Sequence, residues 1–532
     1  MRTKTSEILD IIYKDRKILF LFILSTAYFI FQHHVALSWD FSSYVENARY
    51  WYSGGMYFEP LRPPLMPFAL GISSFVGYRA AEFLYIFIVS ALFLYSSIRL
   101  ADALKFKRTA FYALSLNPFI LVIGLINGTE LLSVALLELS VAMLIEKNHM
   151  SGLFLGLSAL ARYTGLALFP LLLLAGNAKK IAKSIILFSI PVSIWFCYNY
   201  IKSGNLFTSL ADQYANNILY RNYLMQPMDP MHFLAVTNLL LPFFLTGLII
   251  IILYLLDHII KKIAGRKIKR EESIVKSISD LISDKKAEII MLAILIFSIF
   301  SYSGIPIKDP RYLFTIVIPV IYISYVGLER LCRISKRSVT MAAIIIFMLS
   351  FTLLLFAEAT RMEEKPMIKE LYYDSPDKYL LSIETLHSLE IENCSLMSNA
   401  WVLMNYLGQP SKEFPRREFV EEELEKGEIM LFFFDTGEPD YINDQQFIDT
   451  LPVIYRNQDY FILQKTGTCL LQEKQDTTYL EKLDIIVYRQ KESHINTDPC
   501  IILFGSKPLL ERSCNLVNMN GFTLDENRWT GA

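Results

Sequence analysis

About eleven apolar runs, separated by short polar stretches, recur over the first 357 residues and decide what solvent this chain can fold in. They cover 17–36, 81–99, 109–126, 130–146, 150–161, 163–176, 181–201, 233–256, 287–303, 312–329 and 339–357. A helix needs ~20 apolar residues at ~1.5 Å each to cross a bilayer, and most of these runs approach or meet that length. The pair 150–161 and 163–176 is short and reads as half-helices or one re-entrant pair. The run 66–77 is shorter than a span and reads as a surface-lying or half-inserted helix. At 53% hydrophobic residues over 532 positions, the chain is too apolar for a soluble protein of its size. The near-neutral net charge of -1 excludes a general nucleic-acid binder. Residues 1–16 are charged, and no small-residue cleavage pattern follows the first run, so that run reads as a retained helix.

Lysine and arginine fix the expected orientation. They cluster at Arg2, Lys4, Lys14, Arg16 and Lys17, at Lys105, Lys107 and Arg108, and at Lys179, Lys180 and Lys183. The loop 257–288 carries nine more, and Arg330, Arg333, Lys336 and Arg337 follow. If the spans alternate, all of these fall on one side. The other side receives Arg49, Arg62, Lys202, Arg221, Lys308 and Arg311. The positive-inside rule then predicts a cell-membrane, multi-pass protein with a cytoplasmic amino terminus and everything after residue 358 outside.

From residue 358 the pattern changes to short strand-like segments, Ile429–Phe434, Tyr460–Gln464, Leu483–Tyr488 and Cys500–Phe504, with helical patterns at Asn399–Leu407 and Glu418–Glu425. This predicts an extracytoplasmic α/β domain over 358–532 after a transmembrane domain over 1–357. Cys394, Cys469, Cys500 and Cys514 are an even set on the oxidising side, so two disulfides are expected, with the pairing open. A zinc site is disfavoured: there is no CxxC pair, and His494 is the only nearby histidine. Asn127-Gly128-Thr129 and Asn393-Cys394-Ser395 match the glycosylation acceptor pattern, which also arises often by chance.

The outward loops hold few polar residues. Asp40, Tyr44 and Ala48 recur at helical spacing on one face, before Gly54-Gly55 breaks the helix. Arg62 precedes Pro63-Pro64-Leu65, where proline suits a helix start and free backbone amides suit a phosphate. Gly128-Thr129-Glu130 sets a carboxylate at the mouth of the fourth run, Arg162-Tyr163 joins the two short runs, and Lys308-Asp309-Pro310-Arg311-Tyr312 puts two cations at the lip of the tenth. Each has a plain alternative: lysine and arginine snorkel to headgroups, Glu130 caps a helix, and Asp309 shapes a turn. Asp40 is harder to set aside. Trp39 and Phe41 flank it, and an ionisable group at membrane depth costs ~2.5–3.5 kcal/mol on insertion scales.

The ordered set Asp40, Tyr44, Ala48, Gly54-Gly55, Arg62-Pro63-Pro64-Leu65, Phe75-Val76-Gly77 and Arg79-Ala80-Ala81 resembles the amino-terminal signature of the GT-C membrane glycosyltransferases. The resemblance is closest to the branch with protein O-mannosyltransferases and lipid A aminoarabinose transferases. Thr129-Glu130-Leu131-Leu132, the small-residue run 152–163 with Pro170, and Lys308-Asp309-Pro310-Arg311-Tyr312 with Pro319 resemble later family features; the match runs over about 15–330. The carboxy-terminal part matches in position only.

The resemblance implies transfer of a sugar from a polyprenyl- or dolichyl-phosphate donor to a protein, lipid or glycan acceptor outside the cytoplasm, with inversion. It implies Asp40 as general base, with Glu130 orienting acceptor or sugar. Arg62, Lys308 and Arg311 would hold the phosphate, Arg162 would serve it or pair with a carboxylate, and Tyr44 and Tyr312 would orient Asp40 and Arg311 or line the sugar pocket. No second carboxylate adjoins Asp40 and Trp401 lies outside any Trp-Trp-Asp motif, which argues against oligosaccharide transfer to asparagine. No cofactor is required by the sequence, and a divalent metal is possible but unsupported. Two other readings are a transporter or flippase for a lipid-linked or anionic solute, and a non-catalytic scaffold; transporters usually carry midplane charges and repeated halves, and no internal repeat is visible.

Overall fold

The computed structural model describes residues 15–55, 57–219, 226–266, 285–363, 376–415, 417–434, 441, 444–465, 469–471 and 475–476. The chain is a polytopic helical membrane protein. Seven stretches among the described residues are long and apolar enough to cross a membrane: Arg16–Val35, Tyr78–Leu104, Ala178–Ser203, Pro230–Tyr254, Lys286–Ser303, Pro310–Ile334 and Val339–Ala357.

In chain order, α1 (Arg16–Val35) leads to α2 (Trp39–Ser53), a two-residue strand β1 (Tyr57–Phe58) and α3 (Leu65–Ser73). The long α4 (Tyr78–Leu104) is followed by α5 (Arg108–Ser115) and α6 (Pro118–Ile123). The apolar run 109–126 is therefore two short helices rather than one span. The break lies at Asn117-Pro118, where the Asn117 side chain accepts from the Ile120 amide and Pro118 takes the first helical position. Next come α7 (Glu130–Ile145) and α8 (Ser151–Ala161), then a 3-10 helix over Tyr163–Leu174. Arg162, in extended backbone, separates those last two, so the short pair is two half-length pieces.

The bundle continues with α9 (Ala178–Ser203), α10 (Thr208–Tyr214), α11 (Pro230–Thr237), α12 (Leu241–Arg266) and α13 (Lys286–Ser303), then a 3-10 turn (Pro310–Ile316), α14 (Val317–Ile334) and α15 (Val339–Glu363). All but the last residue of α7 is buried, which makes it a central helix. Between α12 and α14 the backbones touch: a Cβ at Gly247 would lie 1.9 Å from the Ile323 carbonyl oxygen, and one at Gly327 2.1 Å from that of Phe243. Small residues allow such approach where lipid leaves packing as the main attraction. On α3 and just after it, Phe68, Ile72, Phe75 and Val76 are exposed, as suits a short helix lying against lipid.

Past the bundle lie α16 (Asp377–Ser388), β2 (Leu396–Ser398), α17 (Trp401–Tyr406), β3 (Lys412–Glu413), α18 (Val420–Lys426), β4 (Ile429–Phe433), α19 (Gln445–Ile448), β5 (Val453–Arg456), β6 (Tyr460–Leu463) and β7 (Gln475–Asp476). The sheet order is β3-β2-β4-β6-β5, with β2 parallel to β3 and β4, and β6 antiparallel to β4 and β5. β4 and β6 are buried along their whole length, as central strands covered on both faces must be. Cys394 and Cys469 form a disulfide. The strand-like segments 483–488 and 500–504, Cys500, Cys514, His494 and Arg221 lie outside the described residues.

Candidate functional site

One cluster of charge forms where α2, the β1–α3 loop, the α7 start and the α13–α14 connection meet. Helix α2 begins at Ser38, whose side chain accepts from the Phe41 amide and donates to Asn127 at 2.8 Å. That cap puts Asp40 in the first turn, where a carboxylate also suits the helix dipole. The helix stops at Gly54, whose φ of +71° favours glycine.

The chain then returns along β1 to Arg62, and its path is fixed from α2. The Asn47 side chain donates to the Glu59 carbonyl at 2.9 Å and accepts from the Glu59 amide at 2.8 Å. The buried Glu59 carboxylate accepts from Arg62 Nε at 2.5 Å, which aims the rest of the guanidinium at α2. There Arg62 Nη1 donates to Asp40 Oδ1 at 2.6 Å, Nη2 reaches Ser43 at 3.3 Å, and the guanidinium sits 5.5 Å from the Tyr44 ring centroid.

The second cation arrives from 271 residues away. Asp309 caps the 3-10 turn by accepting from the Arg311 amide at 2.8 Å, with Pro310 at the first position. Arg311 Nη1 then donates to Asp40 Oδ2 at 2.6 Å, and its Nε lies 3.2 Å from Asp309 Oδ2. Its Nη2 contacts the Tyr312 hydroxyl at 3.5 Å. Each oxygen of Asp40 thus has its own arginine. Burial alone would raise the pKa of Asp40, but Arg62 and Arg311 outweigh it and hold the carboxyl well below the usual carboxylate range.

Glu130 stands at the first position of α7 with no exposure, and one oxygen accepts from Arg162 Nη1. Among the described residues, its other oxygen is buried without a hydrogen-bond partner. Arg162 also lowers the Asp40 pKa through its charge, which ties this pair electrostatically to the first.

The expected residues therefore divide. Asp40, Arg62, Arg311, Tyr44 and Tyr312 are joined by direct contacts, with Glu130 and Arg162 alongside. Lys308 is not brought to Asp40. Its ammonium donates to the backbone carbonyls of Tyr302 at 3.1 Å, Ser303 at 2.9 Å and Ile305, at the end of α13. The physical reason is that helix ends leave carbonyls without partners, and a buried ammonium just past the end satisfies them. Sequence reading missed Glu59. Its one signal was a carboxylate three residues before Arg62, close enough along a turn to hold it. Among the described residues, no three His, Cys, Asp or Glu side chains converge as a metal-ion site. Asp40 and Glu130 each have arginine where a cation would sit.

The sheet unit covers this end of the bundle. Trp401 of α17 packs on Trp39 and Tyr57 at centroid distances of 5.3 and 4.8 Å. Arg49 of α2 donates to the carbonyls of Asn405 and Tyr406 at 3.3 and 2.9 Å. The Tyr406 hydroxyl donates to Glu82 at 2.7 Å and accepts from Arg79 at 2.9 Å, while His33 meets the same Glu82 oxygen at 2.8 Å. β1 and β7 pair in parallel.

The architecture matches two solved structures of ArnT from Cupriavidus metallidurans. The form bound to undecaprenyl phosphate aligns with a TM-score of 0.55 at 12% identity, covering 85% of this chain and 99% of that one. The apo form aligns at 0.54 and 12%, covering 84% and 97%. No family model matches the chain, and no curated protein does. The fold is the GT-C fold.

Proposed function

We propose that this chain is an integral-membrane glycosyltransferase that moves a sugar from a polyprenyl- or dolichyl-phosphate donor to a protein, lipid or glycan acceptor, with inversion at the anomeric carbon. The observation that carries the reading is the meeting of Asp40 with Arg62 and Arg311, two cations from distant loops on one carboxylate. Undecaprenyl phosphate bound in the fold neighbour supports a lipid phosphate as the ligand. Asp40 acts as general base toward the acceptor, a role worth ~10²–10⁴ in rate. Arg62 and Arg311 stabilise the departing phosphate, for which a guanidinium fork suits two oxygens at once. Glu130, held by Arg162, orients the acceptor or the sugar, and Tyr44 and Tyr312 keep the arginines aligned. Apolar surface between the spans takes the isoprenoid tail. The charge asymmetry of the loops supports placing this end outside the cytoplasm, and the end of the long apolar runs at 357 supports a transmembrane domain over 1–357 and a soluble domain over 358–532.

The test is transfer of labelled sugar from polyprenyl-phosphate hexoses or pentoses to membrane extract by the purified chain. Asp40→Asn is expected to lower turnover by ~10²-fold or more while the protein stays folded. Transfer at the wild-type rate by that variant would remove Asp40 from the mechanism. Labelled lipid that crosses liposomes unchanged would favour a flippase instead.

A further inference from the structure

We infer that Asp40 is a base released by the donor: the incoming phosphate draws Arg62 and Arg311 off the two Asp40 oxygens, so the acceptor is deprotonated only in a donor-loaded site. The inference rests on the reading that these two arginines receive the lipid phosphate. It makes binding ordered, donor before acceptor.

Neighbouring groups surround the guanidinium nitrogens of both arginines. On Arg62, Nε is on Glu59, Nη1 on Asp40 and Nη2 on Ser43. On Arg311, Nη1 is on Asp40, Nε is beside Asp309 and Nη2 is near the Tyr312 hydroxyl. The Nη1 of both guanidiniums is committed to Asp40, so a phosphate that takes the two arginines together competes with that carboxylate for them. Glu59 and Asp309 lie three and two residues from their arginines, on the same loops, and act as tethers that travel with them. Asp40 comes from a different element and is the anion the two loops share. It is therefore the exchangeable partner.

Charge points the same way. Around these groups stand three cations, Arg62, Arg162 and Arg311, and four carboxylates, Asp40, Glu59, Glu130 and Asp309. A phosphodiester adds a further negative charge at the arginines, and like charges side by side repel. The added charge is accommodated if Asp40 lets go and takes up a proton.

The reaction supplies that proton. The acceptor's O–H or N–H gives its proton to Asp40 as its lone pair forms a bond to the anomeric carbon. The bond from that carbon to the phosphate oxygen breaks, and its electron pair stays on the phosphate. The leaving group departs as a lipid phosphate monoester dianion between Arg62 and Arg311. Asp40 returns its proton to water, and when the lipid leaves, both arginines close on the carboxylate again.

The experiment measures undecaprenyl phosphate binding to the full chain in nanodiscs, for wild type, Asp40→Asn, Arg62→Ala, Arg311→Ala, the Arg62→Ala/Arg311→Ala double variant and the Asp40→Asn/Arg62→Ala/Arg311→Ala triple variant. Removing the competing carboxylate is expected to tighten binding by about tenfold, the equivalent of ~1.4 kcal/mol. In the background lacking both arginines, that gain should shrink to about threefold or less. Unchanged or weaker binding by Asp40→Asn, with both arginine variants still impaired, overturns the exchange and leaves the phosphate reading standing. A gain that persists in full without the arginines also overturns it, because simple repulsion would then suffice. If neither arginine variant loses affinity, the phosphate reading itself fails. Asp40→Ser is measured in parallel and decides by the same criteria should the asparagine variant fail to fold.

Discussion

Arg162→Met should destabilise the protein far more than Glu130→Gln, although the two residues form one ion pair. The difference comes from burial. The Glu130 side chain has no exposure, whereas Arg162 keeps 18%. Losing Arg162 leaves a fully buried carboxylate with neither oxygen hydrogen-bonded among the described residues, since the second one already lacks a partner there. Breaking a buried pair in that way costs ~3–5 kcal/mol. Glu130→Gln leaves a cation with a path to water and an amide oxygen that still accepts, so its cost is near that of one weakened hydrogen bond, ~1–2 kcal/mol. The double variant removes both charges and should be more stable than Arg162→Met alone. The assay is reversible unfolding of the full chain in mixed micelles, followed by tryptophan fluorescence, with the three variants closed into a cycle. Equal single effects that simply add in the double variant would refute the reasoning.

Two further outcomes follow from the contact between α2 and α17. Burial pushes the Glu46 carboxyl up to about 7, against the pull of Arg49 at 2.7 Å and with help from the Glu82 charge. A glutamate in the unfolded chain titrates near ~4.3, so this group's contribution to stability is full below that pH and is lost as pH rises through about 7. Glu46→Gln should flatten that part of the pH dependence and melt above wild type at pH ~8; an unchanged slope between pH ~4 and ~8 would count against it. Tyr406→Phe removes one bond to Glu82 and one from Arg79, at 2.7 and 2.9 Å. A loss of ~1–3 kcal/mol is expected, less than additive with Glu82→Gln in the same unfolding assay.

Much of this arrangement was legible in the residues because a bilayer allows so few solutions. The apolar runs 81–99, 181–201 and 339–357 each lie within a helix long enough to span. The run 109–126 misled because composition alone does not register a proline with its capping asparagine as a break. In the loops, residue type and charge parity singled out Asp40, Arg62 and Arg311, and the fold brings these three into contact. Lys308 carries the same charge in the same loop, yet its side chain serves the end of α13. A local backbone debt of that kind depends on where the helix stops, which hydropathy fixes only loosely. Glu59 was overlooked for a related reason: nothing in Tyr57-Phe58-Glu59-Pro60 registers that Asn47, 12 residues back, clamps its backbone and that its buried carboxylate holds Arg62. The short strands β2, β3 and β5 were missed because two to four residues carry too little alternation to register.

The seating of α17 on α2 has a practical consequence for anyone dissecting this protein. Trp401, Arg49 and Tyr406 bind the helix carrying Asp40 to residues some 360 positions downstream. A fragment cut after α15 would leave Glu82 short of a donor and Trp39 uncovered, and the same cut would strand Tyr406 in the other piece. The helix carrying Asp40 and the cap above it therefore have to be expressed, purified and mutated as one object.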